Sequence, residues 1–200
     1  MVWSVFEFFI KDAIDSLIPN NALSQFVKSG IIKNLVWTVP AFLLISKFHV
    51  CITLKEMFTA KVNGLKYLPF FILFTVYLSV GAILEKGRLA LAKDFGADEI
   101  IIVLFVGLTE EMVFRGWLLN ATITEENKWK CIIVNAVMFL AIHFPSWIHN
   151  GVFIRNFEGF GFVSVVVLSV IFSLTFMKSR NILIPITLHM YWDLLMFMFY

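Results

Sequence analysis

Six ionisable side chains stand in stretches of the 200-residue chain that are otherwise apolar: Glu110, Glu111 and Arg115 in TEEMVFR, His143 closing FLAIH, and His189 and Asp193 in HMYWD. Carboxylate and imidazole are the groups that move protons near neutral pH or ligate a metal ion, so the set points to acid–base or metal-assisted chemistry. On an α-helix Glu111 and Arg115 are i and i+4, stacked on one face where their charges neutralise each other. Glu110 sits about 100° round the same helix, at 3.6 residues per turn, and is left over from that pair. His189 and Asp193 repeat the i, i+4 relation. Each group also has a plain structural role to set against chemistry. These are an intramembrane ion pair for Glu111 and Arg115, a neutral acid bonded to a helix carbonyl or Thr109 for Glu110, a packing histidine at 143, and a helix-stabilising pair at 189 and 193.

The elements that carry these residues are greasy. The chain is 60% hydrophobic with 23 Phe and 15% charged residues, too apolar for an ordinary soluble domain. A helix needs about 20 mainly apolar residues to cross a hydrocarbon core roughly 30 Å thick, and six windows qualify: 31–50, 67–84, 99–120, 129–147, 160–177 and 182–200. Val2, Phe6, Phe9, Ala13 and Leu17 recur near helical spacing, with Glu7, Lys11, Asp12 and Asp15 largely elsewhere on the wheel, and Pro19 ends the run. The expected fold is all-α, a polytopic transmembrane helix bundle of about six spanning helices. An N-terminal amphipathic interfacial helix lies over 1–20, motif-bearing helices over 99–200, and one membrane-embedded domain covers 1–200.

Depth decides whether the six residues can meet. At 1.5 Å per residue in an up-and-down bundle, Glu110 lies about 15 Å from one membrane face, His143 about 20 Å, His189 about 11 Å and Asp193 about 17 Å. All four fall within about two helical turns of depth, near the midplane. A central Asp, Lys or Arg costs roughly 2.5–3.5 kcal/mol on insertion, so such residues call for partners or a use. Phe139 reads as packing against the site and Asn135 as a further lining residue.

Other features exclude or narrow. A net charge of +2 with dispersed basic residues argues against nucleic acid as a partner. Cys51 and Cys131 form no CxxC pair and read as packing residues, while His49 and His149 read as interfacial. The first apolar run contains Glu7 and no small-residue cleavage site, so it does not read as a removable signal peptide. Counting Lys and Arg at span ends puts eight on the face of the loop 47–66. The other face has seven: Lys11, Lys28, Lys33, Lys86, Arg88, Lys93 and Arg155.

EEMVFR, FLAIH and HMYWD, in that order, resemble the EExxxR, FxxxH and HxxxN/D signature of the CPBP family of intramembrane proteases, which includes the type II CAAX prenyl protease and bacterial Abi-type proteins. The resemblance implies that Glu110 is the general base activating a water, assisted by His143, that Glu111 and Arg115 hold the helix geometry, and that His189 and Asp193 stabilise the oxyanion or complete a ligand set. Asp193 stands where prenyl-protease members commonly have Asn. An amide can donate to an oxyanion and an ionised aspartate only accepts, so orienting His189 or binding a metal is the more natural role for Asp193.

The family is often called a metalloprotease, and His143, His189 and Asp193 would be the ligands if zinc were bound. Against zinc, HExxH is absent and a desolvated carboxylate is itself a competent base, which favours a metal-independent glutamate mechanism. The expected function is an intramembrane endopeptidase acting on a membrane-associated protein or peptide in the lipid bilayer. The family points to a bacterial cell membrane and to peptide maturation or bacteriocin self-immunity. A proton- or ion-coupled transporter using the same Glu and His residues is the competing class.

Overall fold

The computed structural model describes residues 2–200, among which the chain is helical with no β-strand. Met1, at the head of the expected N-terminal helix, lies outside the described residues. The helices are α1 (2–17), α2 (Asn21–Lys47), a short α3 (Leu54–Thr59), α4 (Gly64–Lys86), α5 (97–122), α6 (Lys128–His149), a short α7 (Phe153–Glu158), α8 (Gly161–Ser179) and α9 (Leu183–Phe199). Local chemistry sets their ends. After Pro19, Asn20 caps α2 by accepting from the Leu23 N–H at 2.9 Å, and the Glu99 side chain takes the Gly96 N–H at 2.9 Å where α5 begins. α6 is broken at 142–143, just before Pro145, so His143 sits at a joint rather than inside a regular turn.

α2, α4, α6 and α8 are long and apolar enough to cross a membrane, and only 22–33% of their apolar windows is buried inside the protein. The rest of each surface, such as Leu73, Val76 and Leu84 on α4, is exposed and apolar, as a lipid-facing surface must be. α9 is shorter, and α5, though long, contains Glu110, Glu111 and Arg115. Two of the helices outside the apolar criterion, α5 and α9, therefore carry five of the six ionisable residues. The window 31–50 differs most from its helix, which starts ten residues earlier and takes in Lys28.

α5 lies at the centre, parallel to α2 and packed on α2, α6, α8 and α9, with α4 outside α9. Water gives no hydrophobic drive between helices in lipid, so close packing matters more. Gly107 shows it: a Cβ there would meet Met190 Cγ at 2.8 Å and the Met190 backbone N at 3.3 Å, so α5 and α9 touch one residue away from His189. From Met112 to Leu119 α5 widens into a π-helical turn, a feature frequent at functional sites. Asn135 of α6 braces it by donating to the Phe114 carbonyl at 2.8 Å, and it does not line the site cavity as the sequence suggested.

α1 forms where amphipathicity predicts, but two of its polar residues, Glu7 and Lys11, turn toward the protein beside the buried Phe6. Glu7 is buried and Lys11 half-buried, while Phe9 and Leu17 are 73% and 80% exposed. Asp15 bonds Lys28 (2.5 Å) and Ser24 of α2, and Asp12 meets His149 of α6 at 3.3 Å. Cys131 packs against the core as expected, whereas Cys51 is exposed in the loop before α3.

Candidate active site

The Glu111 and Arg115 side chains are fully buried and paired, Arg115 Nη1 donating to Glu111 Oε1 at 3.0 Å. The second amino group of the guanidinium reaches another helix. Nη2 donates to the Ser169 carbonyl (2.9 Å) and to Ser169 Oγ (2.6 Å) on α8, and the guanidinium lies over the Phe139 ring at 4.5 Å. Arg115 thus pins α5, α6 and α8 together at the level of the motifs, a geometry only its planar fork can serve. Glu111 Oε1 also accepts from His189 Nδ1 at 2.8 Å, so the same oxygen fixes the imidazole of α9. With Nδ1 carrying that hydrogen, Nε2 of His189 is directed to Asp193 Oδ2 (3.5 Å) and Glu110 Oε2 (4.0 Å), and its ring stacks on Phe172.

Glu110 is buried and paired across helices: Lys33 Nζ of α2 donates to Oε1 at 2.8 Å, both side chains being under 10% exposed. Oε2 is buried without a hydrogen-bond partner. Thr109 does not serve Glu110, since its hydroxyl meets Thr38 Oγ1 at 3.3 Å on α2. At the α6 joint, His143 Nδ1 donates to the Phe139 carbonyl at 2.8 Å; a carbonyl only accepts, so Nε2 is the ring nitrogen left for water or substrate.

One cavity of about 380 Å³ gathers Lys33, Glu110, His143, His189 and Asp193. It continues past Ser29, Lys28 and Gln25 of α2 to Glu7 and Lys11 of α1. A larger cavity of about 630 Å³, lined by Tyr67, Lys128 and Arg180 among others, opens at the opposite ends of the helices and contains none of the six motif residues. Four of the six motif residues, Glu110, His143, His189 and Asp193, line the smaller one. Glu111 and Arg115 stand behind it, holding its walls.

The proposed zinc ligands do not fit a metal here. Among the described residues no three His, Cys, Asp or Glu side chains are grouped to hold an ion. The Lys33 ammonium already sets a positive charge against Glu110. His143, His189 and Asp193, the ligands expected if zinc were bound, are not gathered as a ligand set in this structure.

Four participants escaped the sequence reading. Lys33 was counted with the interfacial charges although it lies inside an apolar run; its sign, opposite to that of the unpaired Glu110, was the available signal. Ser169 carries no local signal in an apolar helix. Glu7 and Lys11 read as polar positions of an interfacial helix, and they also line the cavity mouth.

A family model described as Type II CAAX prenyl endopeptidase Rce1-like matches residues 97–195, the stretch that contains all six motif residues and excludes Lys33 and α1. No curated protein and no solved structure matches the chain.

Proposed function

Through residues 97–195 the chain belongs to the type II CAAX prenyl endopeptidase Rce1-like family, a family of intramembrane proteases, and on that premise we propose that it hydrolyses a peptide bond of a membrane-associated protein or peptide with a water activated by Glu110. The observation that carries this reading is the state of Glu110. One carboxylate oxygen is tied to Lys33, and the other, buried and unpartnered, lies in a cavity beside two imidazoles.

In the proposed reaction a water on Glu110 Oε2 gives its proton to the carboxylate as its oxygen attacks the scissile carbonyl. His143, with Nε2 free, orients that water or the amide. Glu111 is a positioning residue, holding His189 so that Nε2 points at the reacting centre, and Arg115 holds Glu111. Collapse of the tetrahedral intermediate breaks the C–N bond, and the amine leaves with the proton carried by Glu110. Atoms and charge balance without a metal.

The finer setting follows from the charges. Lys28 and Lys33 are buried in α2 and drop out of the interfacial count, which leaves eight basic residues on the loop 47–66 face against five on the other. That excess supports a cytoplasmic 47–66 loop, with the mouth near Gln25 and Glu7 on the outer face. A multi-pass protein of a bacterial cell membrane acting on an exported peptide, in its maturation or in self-immunity against it, suits that access.

The test compares new N-termini in membranes carrying wild-type protein with those carrying Glu110→Gln. Cleavages present with the first and absent with the second are expected; identical sets overturn the reading. Proton flux in vesicles lost in Glu110→Gln, with no cleavage by either protein, is the outcome that favours a transporter.

A further inference from the structure

Lys33 lies outside the matched region, on a helix that sequence motifs do not mark, yet it makes the shortest polar contact of Glu110. Granting the protease reading, we infer that Lys33 is an oxyanion donor of the site, moving from Glu110 Oε1 to the carbonyl oxygen of the substrate as the tetrahedral intermediate forms.

The inventory of donors leads there. An intermediate formed beside Glu110 needs an N–H or O–H about 2.7–3.1 Å from the nascent oxyanion. Asp193, standing where an amide would donate, only accepts when ionised. Each histidine spends its Nδ1 hydrogen, His189 on Glu111 and His143 on the Phe139 carbonyl, so Nε2 of either ring donates only when that ring carries a second proton, whereas the Lys33 ammonium donates as it stands. Lys33 brings three N–H groups on a flexible stem into the same cavity as Glu110, with Trp37 one turn away placing its ring centroid 5.6 Å from Nζ.

Charge transfer favours the move. Before attack the negative charge is on Glu110. As the water oxygen bonds to the carbonyl carbon, its proton neutralises Glu110 and the carbonyl π pair becomes the oxyanion. One negative charge has shifted by a few atoms, and the ammonium follows it, so the buried site never holds an uncompensated charge. When the C–N bond breaks, the oxyanion re-forms its carbonyl, Glu110 gives its proton to the departing amine, and Lys33 returns to Oε1.

The experiment uses full-length protein in lipid nanodiscs, a peptide that the wild type cleaves, and a phosphinate analogue of that peptide whose charged oxygens imitate the intermediate. Lys33→Met should lower kcat by about 10²–10³-fold, the usual loss for one oxyanion donor, with KM within threefold. Phosphinate affinity should fall in parallel with kcat/KM, while affinity for the uncleaved peptide in a Glu110→Gln background stays the same. Lys33→Met/Asp193→Asn, which returns an amide donor and removes one carboxylate, should recover at least tenfold over Lys33→Met. If Lys33→Met does not fold, Lys33→Gln carries the same comparison, a neutral donor giving a smaller loss of kcat. A kcat within threefold of wild type in the folded variant, phosphinate affinity that does not follow kcat/KM, or no recovery in the double variant overturns the inference. Absence of Glu110-dependent cleavage by the wild type instead overturns the protease reading beneath it.

Discussion

Glu111 and Arg115 should be energetically coupled as charges, not merely as hydrogen-bonding groups, and a double-mutant cycle measures this. Arg115→Met removes the bond to Glu111 Oε1, two bonds to Ser169 and the contact with Phe139, and leaves a carboxylate served by His189 alone. Glu111→Gln leaves a fully buried guanidinium without its counter-ion. Breaking a buried pair from either side costs about 3–5 kcal/mol. The double variant strands neither charge, so its cost falls to roughly that of one single variant, and the coupling is about 3 kcal/mol. Interhelical hydrogen bonds in membranes average about 0.6 kcal/mol and reach about 1.7, too little to supply that coupling. The assay is equilibrium unfolding in mixed micelles of rising SDS fraction, for wild type, both singles and the double. Single costs that add within about 0.5 kcal/mol, as uncoupled sites do, refute the charge argument.

Three shorter predictions test other parts of the architecture. Gly107→Ala should press on Met190 Cγ and backbone, 2.8 and 3.3 Å away, cost about 1–3 kcal/mol by overpacking, and lower kcat by tenfold or more through displaced His189; wild-type values in both unfolding and kinetics would contradict it. Asn120→Ala strips the bonds from Nδ2 to Ile52 O (2.7 Å) and Gly116 O (3.0 Å) and from Ile52 N–H to Oδ1 (2.8 Å). Leaving those buried groups unpaired should cost about 2–3 kcal/mol, with faster amide exchange around residue 52. Burial pushes the Asp15 carboxyl up, but hydrogen bonds from Lys28 and Ser24 outweigh it and hold the group below the ordinary value near 4. A depressed value means stability that is present above pH 4 and lost as pH falls through the lowered one, so α1 should loosen from α2 only in acid, as spin-label distances would report. Release between pH 6 and 8 would point to another latch.

Helix existence was legible because lipid demands long apolar runs, and every window has a helix at its place. The meeting of α5, α6 and α9 residues was legible for a related reason: a constant rise per residue turns sequence position into depth, and residues level in depth need only adjacent helices to touch. Side-chain partners followed no such rule. The i, i+4 spacing of Glu111 and Arg115 announced their pair, but the bond from His189 to the same Glu111 oxygen joins residues 78 apart and depends on how α5 and α9 rotate. The π turn has no spacing signature, and it places the Phe114 carbonyl where Asn135 reaches it. α1 was legible as amphipathic, but the inward turn of Glu7 and Lys11 was not, because periodicity finds two faces without saying whether lipid or a polar cavity takes each.

The buried charges explain why the first two helices matter to a site whose motifs lie elsewhere. Glu110, Glu111 and Asp193 are three carboxylates, and residues 97–195 set only Arg115 among them as a permanent cation. Lys33 supplies the second, from α2, on the carboxylate that Arg115 does not reach. Three negative groups against two permanent cations leave one proton to be held by a histidine or a carboxylate, and a site that keeps one transferable proton while staying neutral in a low-dielectric medium is equipped for water activation. Without Lys33 the same site would need two such protons. The N-terminal helices therefore do more than fill the membrane: α2 supplies the cation that pairs with Glu110, and α1 covers the polar path that leads to it.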